Sequence, residues 1–139
     1  MAAAWTLGLA GLLPFAGLAL LARLGPAPWQ PVAAILLVQY GALITAFVGA
    51  LHWGRAAHAG IHGRSAWLCY GYSVLPALWA WFALQYPVQY GLQLLAAGLV
   101  ACLAADLAFQ RQLPWPAWMV RLRLALTTVA TLCLLAASL

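Results

Sequence analysis

The sequence predicts an all-α integral membrane protein, built as a single bundle of five transmembrane helices. Of 139 residues, 68% are apolar and only seven are charged, six arginines and one aspartate. A soluble domain carries roughly 25% charged residues, so this chain has too little polar surface to dissolve as a monomer. Five apolar runs are also long enough, at about 20 residues, to cross a bilayer. Glycine and proline mark the breaks between them.

The five predicted spans, in order, cover residues 5–23, 33–54, 65–84, 88–109 and 117–138. The first has no basic residue before it and carries Pro14 in its middle, which favours a retained helix over a cleaved signal peptide. The breaks read GPAPWQP, HAGIHGR, QYPVQ and QRQLPWP, at 25–31, 58–64, 85–89 and 110–116. The third break is short, so spans three and four should form a tight antiparallel hairpin.

Arginine placement predicts the orientation. With five spans, the amino terminus and the second and fourth loops share one side, which holds five of the six arginines. Only Arg23 lies on the other side. Because positive residues remain inside, the amino terminus should be cytoplasmic and the carboxyl terminus outside.

The net charge of +5 does not indicate a nucleic-acid partner, since the arginines are sparse and stand beside apolar runs. The three cysteines, Cys69, Cys102 and Cys133, lie far apart within apolar segments, and no CxxC pair occurs. We interpret them as small buried thiols without a disulfide framework.

The second loop holds two histidines, His58 and His62, which could bind a metal if they shared a helix face. Gly60 and Gly63 disfavour a helix there, and the loop has no cysteine or acidic residue. A haem would need histidines deep on two helices, and only His52 lies within a span. The sequence therefore predicts no metal and no cofactor, and it places the loop histidines in a wet turn.

Asp106 is the only acidic residue, and it lies near the end of the fourth span. A charged residue within a transmembrane helix costs roughly 2.5–3.5 kcal/mol on insertion scales, so it normally has a partner. Gly98 and Cys102 precede it at intervals of four, a row of small residues typical of a packed face. Asp106 should therefore point into the bundle.

Arg123 is the predicted partner of Asp106. It leads a row with Thr127, whereas Arg121 leads a row with Ala125 and should extend to the lipid headgroups. The predicted Asp106–Arg123 ion pair has two interpretations. It could be a structural bridge that fixes helix packing, or part of a binding or proton-handling site.

Other polar side chains should lie at the depth of this pair. His52 and Arg55 end the second span one turn apart, and Tyr70 lies in the third span before a kink at Pro76. The predicted ligand-binding cluster comprises His52, Trp53, Arg55, Tyr70, Asp106 and Arg123.

Several stretches together resemble a known family: FVGALHWG at 47–54, GYSVLPALWAW at 71–81, Asp106, and PAWMVRLRLALT at 116–127. The family is a domain of unknown function among small multi-pass membrane proteins, and it includes the mitochondrial transmembrane protein 69. The resemblance covers nearly the whole chain. It implies a multi-pass protein of the bacterial inner membrane, and it brings no reaction, cofactor or partner with it. In that membrane the orientation predicted from the arginines makes the carboxyl terminus periplasmic.

Three functional hypotheses follow. The first is a non-enzymatic accessory or assembly protein of a larger membrane complex, such as a respiratory one, in contact with other subunits or a second copy. Short loops, rows of small residues and eight tryptophans favour it. The second is a protein that binds a quinone or lipid headgroup through the polar cluster at the cytoplasmic interface. The third is a proton-coupled carrier using Asp106 and His52. An enzyme is disfavoured, since the sequence has no HExxH motif and no paired carboxylates.

Overall fold

A computed structural model describes residues 1–111 and 114–139, and every regular element in it is helical. The helices are α1 (Ala2–Ala10), α2 (Leu12–Leu24), α3 (Gln30–His58), α4 (Gly63–Ala83), α5 (Val88–Ala108) and α6 (Ala117–Ser138), with a 3-10 turn at Phe109–Arg111. Since α1 and α2 form one broken span, the chain is a five-helix bundle. The prediction of a helical membrane bundle is confirmed.

Within residues 1–111 and 114–139, four stretches are long and apolar enough to cross a membrane by length and composition: Ala2–Leu24, Gln30–His58, Val88–Ala108 and Ala117–Ser138. The remaining helix, α4, is as long as α5, at 21 residues, but it carries more polar side chains, among them Tyr70, Tyr72 and Ser73. It packs along α3 and α5 and therefore occupies the same depth of the bundle.

The first predicted span is interrupted at Gly11. Pro14 has no N–H to donate to the carbonyl of Ala10, and its ring crowds that carbonyl. The hydroxyl of Tyr40 donates a hydrogen bond of 2.9 Å to the neighbouring carbonyl of Gly11. The proline therefore explains the break, and a side chain of α3 supports the backbone beside it.

The helix α3 is longer than the second predicted span, 33–54, at both ends. Pro31 lies in its first turn, where the missing N–H costs nothing. The helix continues to His58 and ends before Gly60, whose φ of +59° favours glycine. With 29 residues, α3 is about 43 Å long and exceeds the hydrocarbon thickness of about 30 Å. It is therefore long enough to cross a bilayer with residues to spare.

Helical spans that follow one another along the chain run antiparallel. Trp53 near the end of α3 packs on Tyr70 near the start of α4, with ring centroids 4.9 Å apart. Further along, Gly49 approaches Pro76 so closely that a Cβ on Gly49 would lie 2.7 Å from the proline ring. Asp106 and Arg123 pair the end of α5 with the start of α6 in the same way. The chain's amino terminus, the α3–α4 turn and the α5–α6 connection thus share one end, which we call the arginine end.

The apolar core lies around α3, which packs against α2, α4, α5 and α6. Its largest fully buried side chains are Phe15, Leu37, Leu92, Leu95, Leu99 and Leu134. The buried polar side chains described next lie between this core and the arginine end.

Candidate functional site

Three helices bring a buried polar triad together: His52 of α3, Asp106 of α5 and Arg123 of α6. Their side chains belong to residues that are 1%, 3% and 6% exposed. His52 Nε2 lies 2.5 Å from Asp106 Oδ1, and Arg123 Nε donates to Asp106 Oδ2 at 2.7 Å. Arg123 Nη2 lies equally close, 2.7 Å from the same oxygen. Both carboxylate oxygens are therefore occupied.

The triad satisfies the strictest requirement of a buried carboxylate, which is to have its charge compensated and its oxygens hydrogen-bonded. Arg123 supplies the opposite charge. An ionised carboxylate can only accept hydrogen bonds, so His52 must carry its proton on Nε2. His52 Nδ1 is then free, and it is buried without a hydrogen-bond partner among the residues described.

Three aromatic side chains surround the His52 imidazole. Its ring centroid lies 4.8 Å from that of Tyr72, 5.6 Å from that of Phe109 and 6.0 Å from that of Trp115. Tyr72 belongs to α4, and the other two flank the α5–α6 connection. Four helices and one loop therefore contribute to a single cluster.

Arg55 lies one turn beyond His52 on α3 and joins the cluster through Trp115. Its guanidinium carbon lies 3.5 Å from the centroid of the Trp115 ring, a stacked cation–π contact. Its two terminal nitrogens are buried and have no hydrogen-bond partner within residues 1–111 and 114–139.

The α5–α6 connection is held by a two-bond clamp between Gln110 and Trp115. Gln110 Nε2 donates to the carbonyl of Trp115 at 2.9 Å, and the Trp115 amide donates to Gln110 Oε1 at 2.9 Å. The clamp fixes the backbone from which the Trp115 ring reaches Arg55 and His52. The predicted break at 110–116 includes residues 112 and 113, which lie outside the described residues.

The cluster has unused hydrogen-bonding capacity. Besides His52 Nδ1 and the Arg55 nitrogens, Tyr72 Oη and Trp115 Nε1 are buried without partners in the described part of the chain. Each buried polar group left unsatisfied costs roughly 1–3 kcal/mol. Groups of this kind, gathered around one imidazole, suit the binding of a small polar or anionic group.

Two apolar grooves lie beside the cluster, and the lining of each includes one residue of the cluster. The first, the N-terminal groove, is a cavity of about 370 Å³ among α1, α2, α3 and α6, and it includes Arg123 and Thr127. The second, the kink groove, measures about 680 Å³ between α4 and α5 beside Pro76, and it includes Tyr72 and Cys102. Both have the apolar lining and few polar groups of a ligand site.

The structure brings together four of the six residues predicted for the ligand cluster: His52, Arg55, Asp106 and Arg123. Trp53 and Tyr70 lie elsewhere. They pack on each other, and Trp53 is 52% exposed. Tyr70 is two positions from Tyr72, about 200° around a helix, so only one of these tyrosines can face His52.

Sequence reasoning missed Tyr72, Phe109 and Trp115. A signal for Tyr72 exists in the row of small or buried residues along α4, namely Cys69, Ser73, Pro76, Ala80 and Ala83. Tyr72 lies one turn from Cys69 and Pro76 on that packed face. Phe109 and Trp115 depend on the path of the α5–α6 connection, for which helical periodicity gives no signal.

The remaining predicted polar residues lie outside the cluster. His58 and His62 are both exposed, but only His62 lies in the turn predicted for both, because α3 continues through His58. Arg121 is exposed and Arg123 is buried, as their two rows predict. Among the residues described, no group of three or more histidine, cysteine or acidic side chains could hold a metal ion.

Comparison with known proteins adds a family relationship. The whole chain, residues 1–139, matches the family described as "Protein of unknown function (DUF3429)". Transmembrane protein 69 of Xenopus tropicalis is 38% identical over 127 residues, which cover 89% of this chain and 49% of that protein. The chain therefore spans about half the length of this curated relative. No solved structure matches the chain.

Proposed function

The chain belongs to the DUF3429 family, and we propose that this membrane protein binds the polar head of an amphiphile, a lipid or a quinone, at the His52–Asp106–Arg123 triad. In this proposal the apolar chain of the amphiphile occupies the N-terminal groove. The protein acts as a binding protein without a catalytic step.

The proposal rests on Arg123, which belongs to the polar triad and also lines an apolar groove. The same side chain holds Asp106 at 2.7 Å and lines a groove of about 370 Å³ whose other walls are almost entirely apolar, among them Phe15, Val48 and Leu126. A polar head and an apolar chain would each meet matching surroundings at adjacent points. The volume also falls in the range of about 300–1,000 Å³ typical of ligand sites.

The position of the triad along α3 supports a headgroup ligand. The middle of α3 (Gln30–His58) is residue 44, and eight residues at 1.5 Å each place His52 about 12 Å beyond it. Half of the hydrocarbon thickness is about 15 Å. With α3 centred in the bilayer, the triad lies just inside the boundary where headgroups begin.

We further propose that the arginine end faces the cytoplasm of a bacterial cell, with the protein in the inner membrane. The five arginines of that end support this orientation, because positive residues favour the cytoplasmic side. The bound headgroup would then belong to the cytoplasmic leaflet.

The test is native mass spectrometry of the full chain purified in mild detergent. We expect a stoichiometric lipid or quinone on the wild type and its loss from Leu126→Trp, which fills the N-terminal groove. Leu124→Trp is the matched control, because Leu124 is exposed on the outer face of the same helix. Retention of the ligand by Leu126→Trp would refute the proposal. A co-purifying membrane complex without any bound amphiphile would instead support the accessory-subunit hypothesis.

A further inference from the structure

We propose that the head bound at this site is anionic, and that Arg55 holds its phosphate-class oxyanion together with Tyr72 and Trp115. This inference rests on the proposed amphiphile-binding function and assigns the chemical class of the headgroup.

The cluster contains two arginines, Arg55 and Arg123, and one acidic residue, so its charges do not balance. Asp106 is the only acidic residue of the sequence, and both of its oxygens are engaged by His52 and Arg123. No other acidic side chain exists to pair with Arg55. Arg55 is partly buried, and its two terminal nitrogens are buried without a hydrogen-bond partner among the described residues. Leaving such a group without a counter-charge is costly, so an anion from outside the protein would stabilise the site.

The geometry of Arg55 also favours an anionic ligand. Its planar face lies on the Trp115 ring, with the guanidinium carbon 3.5 Å from the ring centroid. Stacking engages only the face of the guanidinium, and both terminal nitrogens at its edge are buried without partners in the part of the chain described. Such an edge forms two parallel hydrogen bonds to one oxyanion. A neutral quinone carbonyl would use only part of this capacity.

Two further donors favour the same ligand class. Tyr72 Oη and Trp115 Nε1 are buried and unpartnered among the residues described. Both rings pack around His52, with centroids 4.8 Å and 6.0 Å away. A phosphate group has several oxygens that can each accept hydrogen bonds, so it could satisfy these donors together.

The depth of Arg55 agrees with a phosphate. Arg55 lies eleven residues beyond the middle of α3, or about 16 Å at 1.5 Å per residue. This exceeds the half-thickness of the hydrocarbon, about 15 Å, when α3 is centred. Arg55 would then lie where lipid phosphates lie, with the triad one turn deeper.

The experiment reconstitutes the full chain in nanodiscs that contain equal amounts of phosphatidylglycerol and a galactosyl diacylglycerol, which has no phosphate, and measures retained lipid by native mass spectrometry. We expect the wild type to prefer phosphatidylglycerol by roughly tenfold or more, the range of a charge-assisted hydrogen-bond pair. Arg55→Gln should abolish the preference, and Arg55→Lys should keep part of it, because lysine retains the charge but not the fork. Arg64→Gln is the matched control, since Arg64 is an exposed arginine at the same end.

The outcomes separate this inference from the proposed function. Absence of any amphiphile from the wild type would contradict the proposed function itself. Retention of a neutral quinone, or an unchanged preference in Arg55→Gln, would overturn only the anionic assignment. Inorganic phosphate added alone identifies the source: displacement of the lipid indicates a site for free phosphate, and no displacement indicates a site for the lipid-borne group. Thermal melting of Arg55→Gln confirms that the variant is folded.

Discussion

At the scale of single residues, the molecule is organised by its one carboxylate. Asp106 can be buried only because Arg123 compensates its charge and His52 occupies its second oxygen. Each partner comes from a different helix, so the three side chains also fix how α3, α5 and α6 meet. The triad therefore links packing to the proposed binding site, and substitutions should separate the two roles.

The ion pair should show strong coupling. Asp106→Asn and Arg123→Leu should each lower the free energy of unfolding by about 3–5 kcal/mol, because each leaves a buried charge or polar group without its partner. The double variant should recover part of the loss. Thermal melting in detergent measures all three, with Arg121→Leu on the exposed face of α6 as the control. Strictly additive losses in this double-mutant cycle would contradict the pair.

Substitution of the buried histidine should affect ligand binding, and substitution of the two exposed histidines should not. His52→Ala removes a triad member and should release the bound amphiphile, because Asp106 then loses a hydrogen bond and the cluster loses its central ring. His58→Ala combined with His62→Ala should leave it bound, since His58, the last residue of α3, and His62, just before α4, are both exposed. Retained ligand, measured by mass spectrometry, decides between them. Loss from the loop variant together with retention by His52→Ala would place the site elsewhere.

At the scale of helices, close approaches determine which side chains meet. Gly49 of α3 lies against Pro76 of α4, where a Cβ would come within 2.7 Å of the ring. Trp79 of α4 crosses α5 at Gly98, where a Cβ would lie 2.6 Å from the indole. Its Nε1 donates to the carbonyl of Leu94 at 2.7 Å. These contacts set the rotation of α4 and so direct Tyr72 toward His52.

This rotation marks the limit of prediction from sequence. Apolar runs and their breaks predict the helices, and Asp106, Arg123, His52 and Arg55 follow from the scarcity of charge in a membrane chain. Which tyrosine of α4 faces the triad depends on contacts between helices, and spacing within α4 alone favoured Tyr70. Trp115 depends on the Gln110 clamp in an irregular connection, where no periodicity operates.

The glycine contacts provide a test at this scale. Gly49→Ala should lower the free energy of unfolding by roughly 1–3 kcal/mol, because the new methyl group overpacks against the rigid ring of Pro76. Gly54→Ala on the same helix meets nothing within 4 Å. It should be neutral or stabilising by up to about 1 kcal/mol, since alanine favours helix. Equal effects on thermal melting in detergent would contradict the close packing of α3 on α4.

At the scale of the whole molecule, the fold separates two unlike ends. The antiparallel packing gathers the amino terminus, the α3–α4 turn and the α5–α6 connection at the arginine end. Arg23 near the end of α2 is the one arginine of the opposite end. The proposed binding site lies toward the basic end, so its orientation determines which membrane leaflet supplies the ligand.

Topology should follow this asymmetry of charge. In a bacterial host, alkaline phosphatase fused after Leu139 should be active and a fluorescent protein at the same point dark, because five spans place the carboxyl terminus outside when the arginine end is inside. Fusions after Gly60, in the turn between α3 and α4, should give the reverse pattern and serve as the internal control. A bright carboxyl-terminal fluorescent fusion with an inactive phosphatase would invert the orientation. The same reporter activities at Gly60 and at Leu139 would place both points on one side of the membrane. That result would contradict an odd number of crossings between them, and with it the passage of α4, α5 and α6 through the membrane.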